Sequence, residues 1–190
     1  MSRKEEILAR IRESARVGSA LEEDADLLER IAGTWVACLK AGGKVLFFGN
    51  GGSAADAQHL ACELAGRFYK DRPGLAAIAL TVNTSTLTAI GNDFGYDAVF
   101  ARQLDGLARR GDVAVAISTS GKSESVLAAI RKAREIGLET VGFTGRSGGS
   151  LPGLVDLCLQ IDSDDTPRVQ EGHILAGHII CELVEKEVFA

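Results

Sequence analysis

Five short apolar runs punctuate the chain: Val45-Leu46-Phe47-Phe48, Ala76–Leu80, Val113–Ile117, Thr140–Phe143 and Leu157–Ile161. Each has the length and composition of a buried parallel strand. Between and after them the apolar positions switch to helical spacing. After the first run, Ala57, Leu60, Ala61 and Leu64 share one helix face, with Asp56, His59 and Glu63 on the other. Further helices are predicted from Ser85 to Gly91, from about Asp97 to Ala108, and from Ser123 to Ile136. A long helix is predicted from about Pro167 to Val188, with Thr166 as N-cap and Pro167 in the first turn. This alternation predicts an α/β fold, a parallel sheet with helices on both faces.

Two helices precede the first strand and are extra to the β-α repeat. Residues 4 to 16 carry Ile7, Leu8 and Ile11 on one side. The second opens at a Ser19/Glu22 capping-box pattern, carries Leu28, Ile31, Trp35 and Leu39, and ends at Gly42-Gly43. The predicted organisation is therefore residues 1–43 as N-terminal helices and 44–190 as one structural unit. On the final helix, Ile174, Leu175, Ile179, Ile180, Leu183 and Val184 spread around most of the circumference. A helix apolar on several sides is buried on several sides, which in a small chain predicts a subunit interface.

The 190 residues are 46% hydrophobic, enough for one substantial core. The net charge of -5 and the absence of a long basic run argue against a nucleic-acid groove. An anionic ligand would have to be held by neutral donors and helix dipoles. The four cysteines, Cys38, Cys62, Cys158 and Cys181, form no C-x-x-C pair and are expected as reduced thiols in a cytosolic protein. No signal peptide and no membrane-spanning run is seen.

The chemistry concentrates after the first and third strands. Gly49-Asn50-Gly51-Gly52 follows the first, and Ser53 is expected to cap the next helix, with Asp56 completing a weak capping box. Strand, glycine turn and helix N-terminus make an anion site, because free N–H groups converge there. Gly49, Gly51 and Ala54 also fit a dinucleotide fingerprint, but that fingerprint needs an acid at the end of the next strand, where Thr81-Val82-Asn83 stands. The third strand runs into Ser118-Thr119-Ser120-Gly121-Lys122-Ser123, hydroxyls at a strand's carboxyl end, suited to a phosphomonoester. Asn92-Asp93-Phe94-Gly95 reads as a turn. The three histidines are His59, His173 and His178. His59 and Glu63, at i and i+4, can touch one ligand or metal. His173 is expected as a packed core imidazole.

The segments GNGGSAADAQHLACEL, NDFGYDAVF, AISTSGKSESV and RVQEGHILAGH together resemble the sedoheptulose-7-phosphate isomerases, single sugar isomerase (SIS) domains, along nearly the whole chain. The resemblance implies a three-layer, doubly wound, flavodoxin-like sandwich with a five-stranded parallel sheet, assembled as a cytoplasmic homotetramer. It implies isomerisation of sedoheptulose 7-phosphate to D-glycero-D-manno-heptose 7-phosphate, the first step toward ADP-activated heptoses of lipopolysaccharide core and other surface glycans. It places substrate contacts at Asn50, Gly51, Gly52, Ser53, Glu63, Asn92, Asp93, Ser118, Thr119, Ser120, Ser123 and Gln170. Glu63 and His178 fall on the catalytic positions, and His59, Glu63, Gln170 and His178 on the ligands of one zinc ion. The alternative within the superfamily is a non-catalytic adaptor that binds the chromosomal replication initiator; retention of Glu63 and His178 favours the enzyme.

Overall fold

A computed structural model describes residues 1–190. Five parallel strands form one sheet in the order β2-β1-β3-β4-β5: β1 Val45–Gly49, β2 Ala77–Ala79, β3 Val113–Ile117, β4 Glu139–Gly145 and β5 Leu157–Ile161. All four pairings are parallel, with Val45 beside Val113 and Gly49 beside Ile117 in the central pair. The helices are α1 Arg3–Ala20, α2 Ala25–Lys40, α3 Gly52–Ala65, α4 Thr84–Phe94, α5 Ala101–Leu107, α6 Glu124–Ile136 and α7 Thr166–Val188. This is the predicted doubly wound sandwich.

The sheet divides the core by its period of two. Val45, Phe47, Val113, Val115, Ile117, Val141 and Phe143 face a layer of α1, α2, α3 and α7. Leu46, Phe48, Ala114 and Ala116 face α4, α5 and α6. Trp35 of α2 meets Phe47 edge-on at 5.2 Å, so α2 is a full member of the first layer. The first half of α1 is not: Ile7 and Ile11 are 60% and 59% exposed, and Val17 is the one buried residue of the helix.

Several local expectations are corrected. Ser19 does not open α2. α1 continues to Ala20, and a 3-10 turn at Leu21–Asp24 leads into α2. The buried Val17 and Leu21 pin the turn there. The capping box lies at the chain start instead, where Ser2 Oγ accepts from Glu5 N–H and Glu5 accepts from Ser2 N–H. Asn92, Asp93 and Phe94 form the last turn of α4, not a free turn, and Gly95 ends it at φ +85°. The region predicted as one helix from Asp97 splits into a 3-10 turn, Tyr96–Ala98, and α5. Thr166 is the first residue of α7 after an N-cap at Asp165, which leaves its side chain free of capping.

No helix is long and apolar enough to cross a membrane. All four cysteines are free, with Cys38 and Cys181 buried and Cys62 exposed.

Candidate active site

The strand order reverses between β1 and β3, and in open α/β sheets ligands bind in the crevice at that point. Both polar loops read from the sequence leave the sheet there. A cavity of about 250 Å³ sits between them, lined by Asn50, Gly52, Ser53, Ile117, Ser118, Thr119, Ser120, Ser123, Thr166 and Gln170. The N-terminal ends of α3, α6 and α7 all border it, so three helix dipoles favour an anion in one place.

The first loop works differently from expectation. Ser53 is not an N-cap. Gly51 holds that position with φ +57°, ψ −122° and no side-chain cap, a conformation open to glycine. Ser53 is 3% exposed and lines the cavity. A Cβ on Gly49 would stand 2.6 Å from the Ile117 carbonyl, so only glycine lets β1 and β3 meet at the loop. Gln170 of α7 lies against Gly52, where a Cβ would be 2.2 Å from its Nε2. The Asn50 amide is fixed from both sides: Tyr96 O–H donates to its Oδ1 at 2.8 Å, and its Nδ2 donates to Ser125 Oγ at 2.9 Å.

In the second loop Ser118 is 5% exposed, and its hydroxyl donates to Ser123 Oγ at 3.4 Å. Ser123 is the N-cap of α6 yet makes no capping bond, which leaves its hydroxyl for a ligand. Ser120 Oγ accepts from Lys122 N–H at 3.2 Å.

A second cluster stands further along α3 and α7. His59 Nε2 is 2.8 Å from His178 Nε2 and 3.2 Å from Glu63 Oε1. The ligand atoms of all three lie within 4.8 Å of one another. Tetrahedral zinc with bonds of about 2.0–2.1 Å holds its ligand atoms roughly 3.3 Å apart, so this donor set fits such an ion. Gln170 sits in the cavity between the two loops, over Gly52.

The structure thus gathers Asn50, Gly52, Ser53, Ser118, Thr119, Ser120, Ser123 and Gln170 in one cavity, and His59, Glu63 and His178 in another group. Asn92 and Asp93 stay exposed and bonded to each other, Asn92 Nδ2 donating to Asp93 Oδ1 at 2.8 Å. His173 is the packed imidazole expected: fully buried, it reaches the Thr144 carbonyl at 3.1 Å, and burial pushes it down to about 4. Sequence reasoning missed Tyr96, Ser125 and the cavity role of Thr166. No local pattern joins Tyr96 to a loop 46 residues earlier.

The SIS domain family model matches residues 11–145. A phosphoheptose isomerase of Burkholderia pseudomallei is 53% identical over 182 residues, 94% of this chain and 92% of that one. One of Roseiflexus is 55% identical over 169 residues, 89% of this chain and 86% of that one. Among solved structures, a phosphoheptose isomerase from Neisseria gonorrhoeae superposes with TM-score 0.92 at 41% identity, covering 97% of this chain and 100% of that chain. One from Francisella tularensis superposes with TM-score 0.94 at 34% identity, covering 98% and 100%. On the strength of that domain match, these identities over nearly full length, and a crevice carrying the family's motifs, the chain belongs to the phosphoheptose isomerases of the SIS domain family.

Proposed function

We propose that this chain interconverts sedoheptulose 7-phosphate and D-glycero-D-manno-heptose 7-phosphate through an enediol. The observation that carries the reading is a matched pair of helices. α3 and α7 both start at the anion cavity, and both carry the His59, Glu63, His178 cluster further along. From Ser53 to His59 is six residues, about 9 Å of helix. An extended heptose phosphate reaches roughly 10 Å from phosphorus to C1 at about 1.5 Å per bond. Phosphate in the cavity therefore sets C1 and C2 beside the cluster.

Ser53, Ser118, Thr119, Ser120 and Ser123 hold the phosphate with hydroxyls and helix N-termini, and Asn50, Gly51, Gly52 and Gln170 line its approach. Asn92 and Asp93 turn to the sugar hydroxyls. Ketose-to-aldose conversion removes a proton from C1 and returns it to C2, while the C2 carbonyl oxygen gains a proton and the C1 hydroxyl loses one. Glu63 carries the carbon-bound proton. His178 carries the oxygen protons and opens the ring. His59, Glu63 and His178 would hold the zinc ion, which when bound would polarise the C1 and C2 oxygens, and Gln170, the fourth ligand implied by the resemblance, would have to turn from Gly52 to reach it.

The residues of α1 left exposed, Ile7 and Ile11, and of α7, Leu175 at 39% and Ile179 at 36%, suit burial between copies in a homotetramer. The largest cavity, about 570 Å³, lies on that side and not at the chemistry, between the first half of α1 and Arg168 and Glu171 of α7. On this reading residues 1–43 pack on the core through α2 and serve the assembly through α1, and the product feeds surface-glycan heptoses from the cytoplasm.

The test is turnover in D2O with Glu63→Gln alongside. The expected result is deuterium at C2 of the aldose from the native chain, and loss of turnover with retained substrate binding in Glu63→Gln. Full activity of that variant would remove Glu63 from its role. No turnover by the native chain, with tight binding to the replication initiator, would move the protein to the adaptor reading.

A further inference from the structure

A buried ion pair lies outside both the anion cavity and the three-residue cluster. Arg72 Nε donates to Glu185 Oε1 at 2.9 Å, and both side chains are 2% exposed. Every part of the pair is occupied. Glu185 Oε1 also accepts from Phe68 N–H at 3.0 Å, and Oε2 accepts from Tyr69 N–H at 2.7 Å and Lys70 N–H at 2.9 Å. Arg72 Nη1 donates to the carbonyls of Leu64, Gly66 and Pro73 at 2.7, 3.0 and 3.1 Å. Its Nη2 donates to the carbonyl of Glu63 at 2.9 Å.

These partners have a pattern. The carbonyls of Glu63 and Leu64 belong to the last turn of α3, which has no intrahelical donors of its own, and a cation is favoured at that end of a helix. Glu185 stands seven residues after His178, two turns along α7 and on the same face. One guanidinium therefore joins the turn that carries Glu63 to the helix face that carries His178. The loop between is tied in as well, since Phe68, whose N–H binds Glu185, has its ring 5.8 Å from the ring of His178.

A buried ion pair is by itself weak evidence for stability, because desolvation offsets most of the attraction. Geometry is the better account of a pair that spans both helices of the site. We propose that Arg72 and Glu185 are positioning residues that set the distance of α3 from α7 and so hold His59 and Glu63 against His178. The catalytic consequence rests on the function proposed above; the geometric one does not.

The experiment compares the native chain with Arg72→Met and Arg72→Lys, the second retaining charge but unable to span Glu63 and Glu185 together. Three readouts are taken: the crystal structure, Co2+ titration followed by its visible absorption, and separate kcat and KM. Loss of a group that orients metal ligands costs about 10–100-fold in affinity or activity. The expected outcome is a wider His59–His178 separation than the native 2.8 Å, and Co2+ binding weakened by that factor. kcat should fall similarly while KM, set at the distant phosphate cavity, stays within about twofold. If Arg72→Met does not fold, Arg72→Lys supplies the same readouts. Unchanged separation, Co2+ affinity and kcat in a folded variant, with only a lower melting temperature, would overturn the proposal. A native chain without turnover would sink the isomerase reading alone, because the crystallographic separation still decides the positioning role.

Discussion

Gly52→Ala isolates the link between the glycine loop and α7. Gly52 does not have a positive φ, so alanine fits its backbone. What does not fit is the methyl group, which would stand 2.2 Å from Gln170 Nε2 and 2.8 Å from Gln170 Cδ. Those atoms are the far end of a flexible side chain. Gln170 can swing away, and the stability cost stays near the lower end of the ~1–3 kcal/mol typical of overpacking. Displacing its amide from the cavity removes a hydrogen bond to a charged ligand, about 1.5–3 kcal/mol, or roughly tenfold to somewhat over a hundredfold in substrate affinity. The assay is the isomerase KM beside a thermal melt for Gly52→Ala, Gln170→Ala and the double variant. Acting through Gln170, Gly52→Ala should add little to Gln170→Ala, since residues in contact are not additive. Additive losses, or an unchanged KM in Gly52→Ala, would refute the argument.

Three further outcomes are expected. Ser120→Ala should raise the KM for sugar phosphates by about 1.5–3 kcal/mol of lost binding, and an unchanged KM would remove the second loop from the phosphate site. Asp56 has one carboxylate oxygen buried without a partner, and burial raises it from 3.8 to about 6, against a smaller opposite effect of His59. The folded state then holds the extra proton between those values, so its stability contribution is present below pH 3.8 and lost as pH rises through 6. Asp56→Asn should raise the melting temperature at pH 7.5 and not below pH 3.8, and a gain independent of pH would contradict this. For His173, pushed by burial from 6.5 to about 4, the unfolded chain binds the extra proton in that window. Stability should therefore fall as pH drops from 6.5 toward 4, and His173→Gln should flatten that slope in a pH series of melts.

Most of the fold was legible because its strands are short apolar runs, and the central β1 and β3 are buried on both faces. Val113–Ile117 and Leu157–Ile161 match the predicted spans, and β1 extends its run by one glycine. The misreadings come from polar residues whose partners are remote. Ser19 and Glu22 form a capping pattern, but the buried Val17 and Leu21 decide where the chain turns. Ser53 looks like a cap because serines usually cap. Here the helix is capped by Gly51, and Ser53 is buried in the lining of the cavity. Asn92 and Asp93 read as a turn, since asparagine and aspartate favour turns, yet they end a helix. Tyr96 and Ser125 were invisible because each acts only through Asn50, from helical elements distant in sequence.

The same logic explains why the site is built from two helices and not from loops alone. The anion cavity needs only helix N-termini and small residues, and any strand-to-helix turn at the switch point supplies them. On the function proposed above, the His59, Glu63, His178 cluster needs a fixed separation from that cavity. A helix supplies it, because its rise per residue is constant. α3 and α7 leave the cavity together, so the distances from Ser53 to His59 and from Gln170 to His178 are set by residue count. What the count cannot set is the gap between the helices. There the structure has Leu60 packed against Gly177, where a Cβ would be 2.5 Å from Leu60 Cδ2, and the Arg72–Glu185 pair beyond the cluster. On α7 His178 lies between these two contacts, and on α3 His59 directly precedes Leu60 while Glu63 stands at the turn that Arg72 binds. Close packing at Leu60 and Gly177, and the Arg72 guanidinium at the end of α3, are the two contacts that bear on that gap.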